Sequence, residues 1–342
     1  MRAVLIREHG GFDRLEWTEV PDPIPGPGEI RVALRAMSLN HLDTWVRRGI
    51  AGVKYPLPLI PGCDGAGVVD TLGAGVAGPP VGTRVALQPG VSCGLCRACL
   101  GGEDFLCRHY GIMGEHRHGT CAEFVVVPAA NVMPIADHLA FESAAALGVV
   151  FLTAWHMAVA RGRIRPGETV LVQAGASGVG SAAVQIAKLL GARVFATVGS
   201  RDKVNAVRDL GADEILLYRD TDFADDIRRL TGKRGVDVIL DHVGGDTWEA
   251  NIKSLARGGR LVVCGASSGH EVATNLRLLF FKNLAFLGST MGSKADLLDV
   301  LAAVERGALR AVVHTVLPLA EVASGHALIE ERSVVGKVVL IP

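Results

Sequence analysis

The chain has 342 residues, 49% of them hydrophobic, and its 35 Lys and Arg are balanced by 35 Asp and Glu. That length accommodates two domains with separate cores, and the balanced charge argues against nucleic acid as an obligate partner. The apolar start, residues 1–9, is too short for a signal peptide, and the longest apolar run, 144–160, contains Thr153 and His156 and falls short of a bilayer span. The expectation is a cytoplasmic protein with no membrane partner, in which that run is a buried helix.

In chain order, Asp22-Pro-Ile-Pro-Gly-Pro-Gly28 is a turn-forming connector unfit for a helix interior. Residues 29–36 (EIRVALRA) alternate polar and apolar, as a half-buried strand does. Segments 65–72, 83–88 and 122–127 are further short strands bounded by Gly and Pro, so the N-terminal region is β-rich.

Within that region Cys93, Cys96, Cys99 and Cys107 fall in fifteen residues with C-x2-C-x2-C-x7-C spacing. Four thiolates on one loop suit a tetrahedral zinc, and such a closed site is structural because no ligand position stays open. A disulfide pair or free thiols are the alternatives.

From Gly167 onward strands and helices alternate. Residues 169–174 form a buried strand, 178–190 a helix stopped at Gly191, and 193–198 the next strand. The cycle repeats through Gly211, a strand near Ile215, Gly232, the strand 236–241, the helix 247–255, Gly258-Gly259, the strand 260–264 and a last strand at 284–288. Short apolar strands and glycine-stopped helices predict a parallel doubly wound sheet. The closing strand, 336–341, has no helix to pair with there and is expected to return to the first domain.

Ala174-Gly-Ala-Ser-Gly-Val-Gly180 lies between a strand and a helix, where glycines let backbone N–H groups approach a pyrophosphate. Ser177 stands at the middle glycine of G-x-G-x-x-G, with a hydroxyl available to phosphate. At the end of the second strand Val198 replaces the acid that would hold an NAD ribose, and Ser200, Arg201 and Lys203 follow. That charge favours NADP(H) over NAD(H).

A zinc-cysteine lobe in a β-rich domain, a Rossmann domain and a C-terminal return resemble the medium-chain dehydrogenase/reductase superfamily. Its markers are Pro61-Gly-Cys-Asp-Gly-Ala-Gly-Val-Val69, the four cysteines, 174–180 and Gly336-Lys-Val-Val-Leu340. The resemblance implies an α/β protein: a GroES-like catalytic domain (1–136) with one structural zinc per chain, a Rossmann domain (137–291) and a return segment (292–342). It further implies an active site between the two domains and a homodimer or homotetramer joined through the last Rossmann strand. At the positions of the catalytic zinc ligands in zinc alcohol dehydrogenases stand Asn40, Cys63 with Asp64, and Val149, a set that cannot make a three-ligand site. The segment 38–49 is similar instead to zinc-independent quinone oxidoreductases, which generally lack the cysteine lobe. Lys203 and Tyr218 match that branch's 2′-phosphate contacts. The resemblance places cofactor contacts at Thr153, Gly175, Ser177, Gly178, Val179, Gly180, Ser200, Arg201, Lys203, Tyr218, His242, Val243, Gly265, Ala266 and Ser267.

The expected reaction is hydride transfer between nicotinamide and a quinone, enone or other carbonyl compound without a catalytic zinc. Asn40, His41, Asp43, Cys63 and Asp64 are the candidate catalytic residues, with Asn40 or His41 orienting the oxygen or relaying a proton. Cys63 reads as a packed residue rather than a nucleophile. Two alternatives stand: an alcohol dehydrogenase with a metal at His41, Cys63 and Asp64, and an idle NADPH-binding protein.

Overall fold

The computed structural model describes all residues, Met1–Pro342. It divides into two units, Met1–Val150 with Ser293–Pro342, and Phe151–Gly292.

The N-terminal part contributes β1 (Arg2–Leu5), β2 (Glu16–Glu19), β3 (Glu29–Ser38), β4 (Asp64–Leu72), β5 (Arg84–Leu87), β6 (Gly90–Val91), β7 (Gly111–Ile112), β8 (Phe124–Pro128) and β9 (Val132–Pro134). Along β3, Ile30, Val32, Leu34 and Ala36 share one face and all are buried, the period-two pattern of a strand with one side on a core. Ile30, Val32 and Leu34 pack with Leu5, Ile6, Val69, Val85 and Leu87.

The second unit holds β10 (Thr169–Val172), β11 (Arg193–Val198), β12 (Glu214–Leu217), β13 (Val236–Asp241), β14 (Leu255–Val263) and β15 (Ala285–Gly288). All pair in parallel, in the order β12-β11-β10-β13-β14-β15. This is the doubly wound order, and its reversal between β10 and β13 opens the crevice where such sheets take a dinucleotide. The strand centres are apolar, as at residues 170–172, 194–196 and 238–240, because helices cover a parallel sheet on both faces.

The chain then returns. β16 (Val313–Pro318) and β17 (Lys337–Ile341) pair in parallel, and β17 lies antiparallel to the end of β3 at Met37 and Ser38. The rest of that edge of β3, from Glu29 to Ala33, pairs with β8. The first residue of β17, Lys337, thereby arrives beside residues almost three hundred positions earlier.

Two expectations need correction. The first unit extends to Val150 rather than ending at residue 136, because Ala144, Ala145 and Ala146 pack against Ala36, Ala66, Ala86 and Val339 of its sheet. The second boundary follows Gly292 rather than residue 291. The apolar run 144–160 is not one helix but α-helices at Phe141–Ala145 and Gly148–Trp155, then a π-helical turn at His156–Arg161. The break has a cause: the Val149 N–H, which a continuous helix would use, donates to the Asp64 carboxylate at 2.7 Å.

Candidate functional site

Three groups of side chains carry chemistry. The first is a polar cluster where β3, β4 and β17 meet. Asp64 is wholly buried, and each of its oxygens is engaged. Oδ1 accepts the Val149 N–H, while Oδ2 accepts Asn40 Nδ2 at 2.8 Å, Lys337 Nζ at 3.1 Å and Ser38 Oγ at 3.2 Å. Gly148 belongs to this arrangement, since a Cβ there would lie 2.1 Å from Oδ1. Lys337, 4% exposed, also donates to Asn40 Oδ1 at 2.5 Å. Asn40 Nδ2 in turn reaches Cys63 Sγ at 3.3 Å. A buried carboxylate needs a paired cation, and the ammonium of Lys337 fills that role.

Asp43 is also buried. It accepts the Asn40 N–H at 2.7 Å and the Gly62 N–H at 3.1 Å, so it holds the helix His41–Arg48 against the turn before Cys63. Burial pushes its carboxyl up to about 7, against the lowering effect of the Asn40 N–H and Lys337. Cys63 is fully buried, and that burial, with Asp43 and Asp64 beside it, drives its thiol far from the thiolate form. It packs rather than attacks. His41 differs: solvent reaches it at the first turn of its helix. Desolvation by the surrounding protein, then Arg332 and Lys337, hold its imidazole below the usual pKa.

Sequence reasoning missed Lys337 as a site residue. The signal was present: one lysine heads an otherwise apolar strand, Lys-Val-Val-Leu-Ile, and a charge in such a strand requires a partner. Residues 41, 63 and 64 bring no set of ligand atoms together; the cysteine lobe does. With Asn40 and Val149 at the remaining ligand positions and an ammonium on Asp64, the cluster does not fit a catalytic zinc.

The second group is that lobe. The sulfurs of Cys93, Cys96, Cys99 and Cys107 lie within 4.8 Å of one another, with three pairs at 3.5 to 3.9 Å. Zinc–sulfur bonds of about 2.3 Å require sulfurs roughly 3.8 Å apart in a tetrahedron, so the residues fit that ion. The cysteines are free thiols. The Leu95 and Cys96 N–H groups pull Cys93 down to about 6, and those of Cys93 and His109 point at Cys107 Sγ. Lys294 ties the lobe to the returning segment through Asp104 at 2.9 Å and Ser92 at 3.0 Å.

The third group gathers at the C-terminal edge of the parallel sheet. The turn after β10 leads into the helix Gly178–Leu189. Its outer glycines are required by close approach: a Cβ on Gly175 would meet Ala196 at 2.9 Å, and one on Gly180 would sit 2.1 Å from the Ala174 carbonyl. Ser177 caps the helix by accepting the Gly180 N–H at 3.0 Å and pairs with His242 Nε2 at 2.9 Å. The hydroxyl expected to be available to phosphate thus meets both of these groups at the start of the helix. Gly178 and Val179, half-buried, begin the first turn of that helix. Beneath runs a buried chain missed in the sequence: Thr197 to Gln173 at 2.7 Å, Gln173 to Asn251 at 2.6 Å, and Asn251 to Asp241 at 2.9 Å. Asp241 also accepts the Val243 N–H at 2.7 Å. The next loop, with Gly265, Ala266 and Ser267, is stitched to this one by Ser267 and Ser268 donating to the carbonyls of His242 and Val243. A helix N-terminus, two glycines and these loops thus converge as a dinucleotide crevice does. Thr153 is buried in the helix Gly148–Trp155.

At the ribose end, Ser200 is extended and precedes the short turn Arg201–Lys203. Arg201 pairs with Asp220 at 3.0 Å on the surface. Tyr218 covers Gly199, where a Cβ would come within 2.8 Å of its hydroxyl.

Residues 26–137 match the alcohol dehydrogenase GroES-like domain family and residues 178–306 the zinc-binding dehydrogenase family. The chain is 33% identical to a quinone oxidoreductase of Pseudomonas aeruginosa, covering 100% of this chain and 99% of that one. It is 30% identical to a 2-haloacrylate reductase of a Burkholderia species, covering 99% and 98%. A solved NAD-dependent alcohol dehydrogenase is 53% identical, with full coverage of both chains and a TM-score of 0.97. A GroES-like unit joined to a Rossmann sheet, with these relatives, makes the chain an NAD(P)-dependent oxidoreductase that belongs to the medium-chain dehydrogenase/reductase superfamily.

Proposed function

We propose that this enzyme reduces quinones, enones or similarly activated carbonyl compounds with NADPH, with no catalytic zinc. The observation that carries this reading is Lys337 Nζ bonded to both Asn40 and Asp64, where zinc relatives hold their metal. When bound, the nicotinamide supplies a hydride, and the acceptor oxygen gains charge that must be met. With Asn40 fully hydrogen-bonded, the residue acts by position: Lys337 and Asp64 hold it rigid, and Asp43 holds the helix that presents His41. His41 is neutral at pH 7 and reached by solvent, so its ring is the group that passes a proton. Without a Lewis acid, acceptors already activated by conjugation are favoured over plain ketones. The reductase names of the two curated relatives agree with that class.

NADPH is favoured over NADH because no carboxylate ends β11, while desolvation and, against the pull of Asp202, the nearness of Arg219 lower the pKa of Lys203. The cysteine lobe would hold the one structural zinc, which suits a reducing cytoplasm. β15 ends its sheet with one edge unpaired, and Leu276, Phe280 and Phe281 nearby are exposed. A second copy pairing along that edge would cover both, and a solution mass of one chain at micromolar concentration would refute it.

The competing reading, an NAD-dependent alcohol dehydrogenase, draws on the 53% identical solved structure. Steady-state rates with NADPH and NADH against quinones, enones, aldehydes and ketones separate the two. The expected pattern is NADPH with quinones or enones. Ethanol or ketone turnover with NAD(H) alone would overturn it. In the expected case, Arg201→Ala with Lys203→Ala weakens NADPH binding by about 1–3 kcal/mol and leaves NADH unchanged.

A further inference from the structure

We infer that the Rossmann unit carries a second anion site, for a compact polyphosphate, at the sheet edge opposite the glycine loop. A cavity of about 440 Å³ opens where β13 and β14 begin, lined by Arg228, Lys233, Arg234, Lys253, Arg257 and Lys282. Two of these are neutralised, Arg234 by Asp237 and Lys253 by Glu249. The other four have no carboxylate partner. In a chain whose charges sum to zero, four unbalanced cations in one concavity are a concentrated positive field.

The floor of the cavity is built. Lys282 donates to the carbonyls of Leu255 at 2.8 Å, Lys253 at 3.1 Å and Ile252 at 3.4 Å. Its ammonium is thus fixed in place without its charge being cancelled. Arg257 is held by the Phe281 carbonyl at 2.9 Å. Desolvation, and then the nearness of Arg228 and Arg257, lower the pKa of Lys282, as expected of cations crowded without an anion. Guanidinium forks flanking a fixed ammonium match adjacent phosphate groups, which present several charges over a short span. A monocarboxylate would leave most of the field unmet. An extended polyanion is disfavoured because Asp222 and Asp225 lie near enough to Lys253 to raise its pKa and Asp237 and Glu249 also stand at the rim.

The test is calorimetric titration of the full-length, zinc-loaded enzyme with sodium tripolyphosphate, with nicotinamide nucleotide already saturating the glycine loop. About one further equivalent should bind, and Arg228→Ala with Arg257→Ala should weaken it about tenfold or more without changing nucleotide affinity. Arg257→Lys should recover part of the loss. If the double variant does not fold, Lys233→Gln on the exposed rim should still give a measurable weakening. An ATP arm identifies the source: tighter binding than tripolyphosphate points to a nucleotide, weaker binding to an inorganic chain. No heat once the nucleotide is bound, or unchanged affinity in the variants, would overturn the proposal. So would tighter binding of an RNA oligomer or of phosphatidylserine vesicles than of tripolyphosphate.

Discussion

The cysteine lobe and the buried Asp64 cluster both gather electron-rich atoms around a point, yet they meet the need for positive charge in opposite ways. The lobe draws its sulfurs from fifteen consecutive residues and leaves Cys93 exposed. Four thiolates gathered in this way suit a metal ion. The Asp64 cluster draws on residues 38, 40, 64, 149 and 337, lies almost wholly out of water, and contains its own cation. An ammonium neutralises a buried carboxylate as a metal would, but it has no open coordination position to offer a substrate oxygen. On the proposed reading, the metal serves structure and the reaction falls to hydrogen bonds and cofactor.

The largest expected effect comes from removing the internal cation. Lys337→Met keeps the length of the side chain while leaving the Asp64 carboxylate without its cation, which should cost about 3–5 kcal/mol of stability. Adding Asp64→Asn should return a large part of that loss in chemical denaturation. If Lys337→Met unfolds at the wild-type denaturant concentration, the ammonium is not what balances Asp64. Next in size is the lobe: Cys96→Ser should take zinc from about one per chain to nearly none and lower the melting temperature, with nucleotide affinity intact. Zinc retained at the wild-type level in that variant would place the metal elsewhere.

A smaller effect follows from Asp43. Its folded pKa of about 7 stands above the ordinary 3.8, so the folded state binds the extra proton between those values. The stability this contributes is fully present below the lower value and is lost as pH rises through the upper one. Denaturation midpoints of the wild type should therefore fall across that window more steeply than those of Asp43→Asn. Parallel profiles would mean that Asp43 is ionised throughout.

How much of this was legible before the structure depends on sequence distance. The lobe and the glycine loop are local, and their spacing announces their chemistry. The parallel sheet shows itself through the recurrence of strand, helix and glycine, although the start of β14 at Leu255 lies ahead of its Gly258-Gly259 pair. The Asp64 cluster is the reverse case. Its cation arrives on the last strand, and no local pattern ties Lys337 to Asn40. The interruption of the apolar run at residues 146–147 has the same origin, because the competing acceptor for the Val149 N–H sits on β4. The role of Ser177 was legible in position but not in partner, since His242 reaches it only once β13 lies beside β10.

The central claim is that an ammonium, not a metal, sits on Asp64 in the working enzyme. Native mass spectrometry of enzyme shown to be turning over a quinone or enone, before and after mild chelation, measures this most directly. The expected result is about one zinc per chain, absent in Cys96→Ser, with turnover in the wild type unaffected by chelation that spares the lobe. Two zincs per chain, with activity lost as the more labile one leaves, would contradict it.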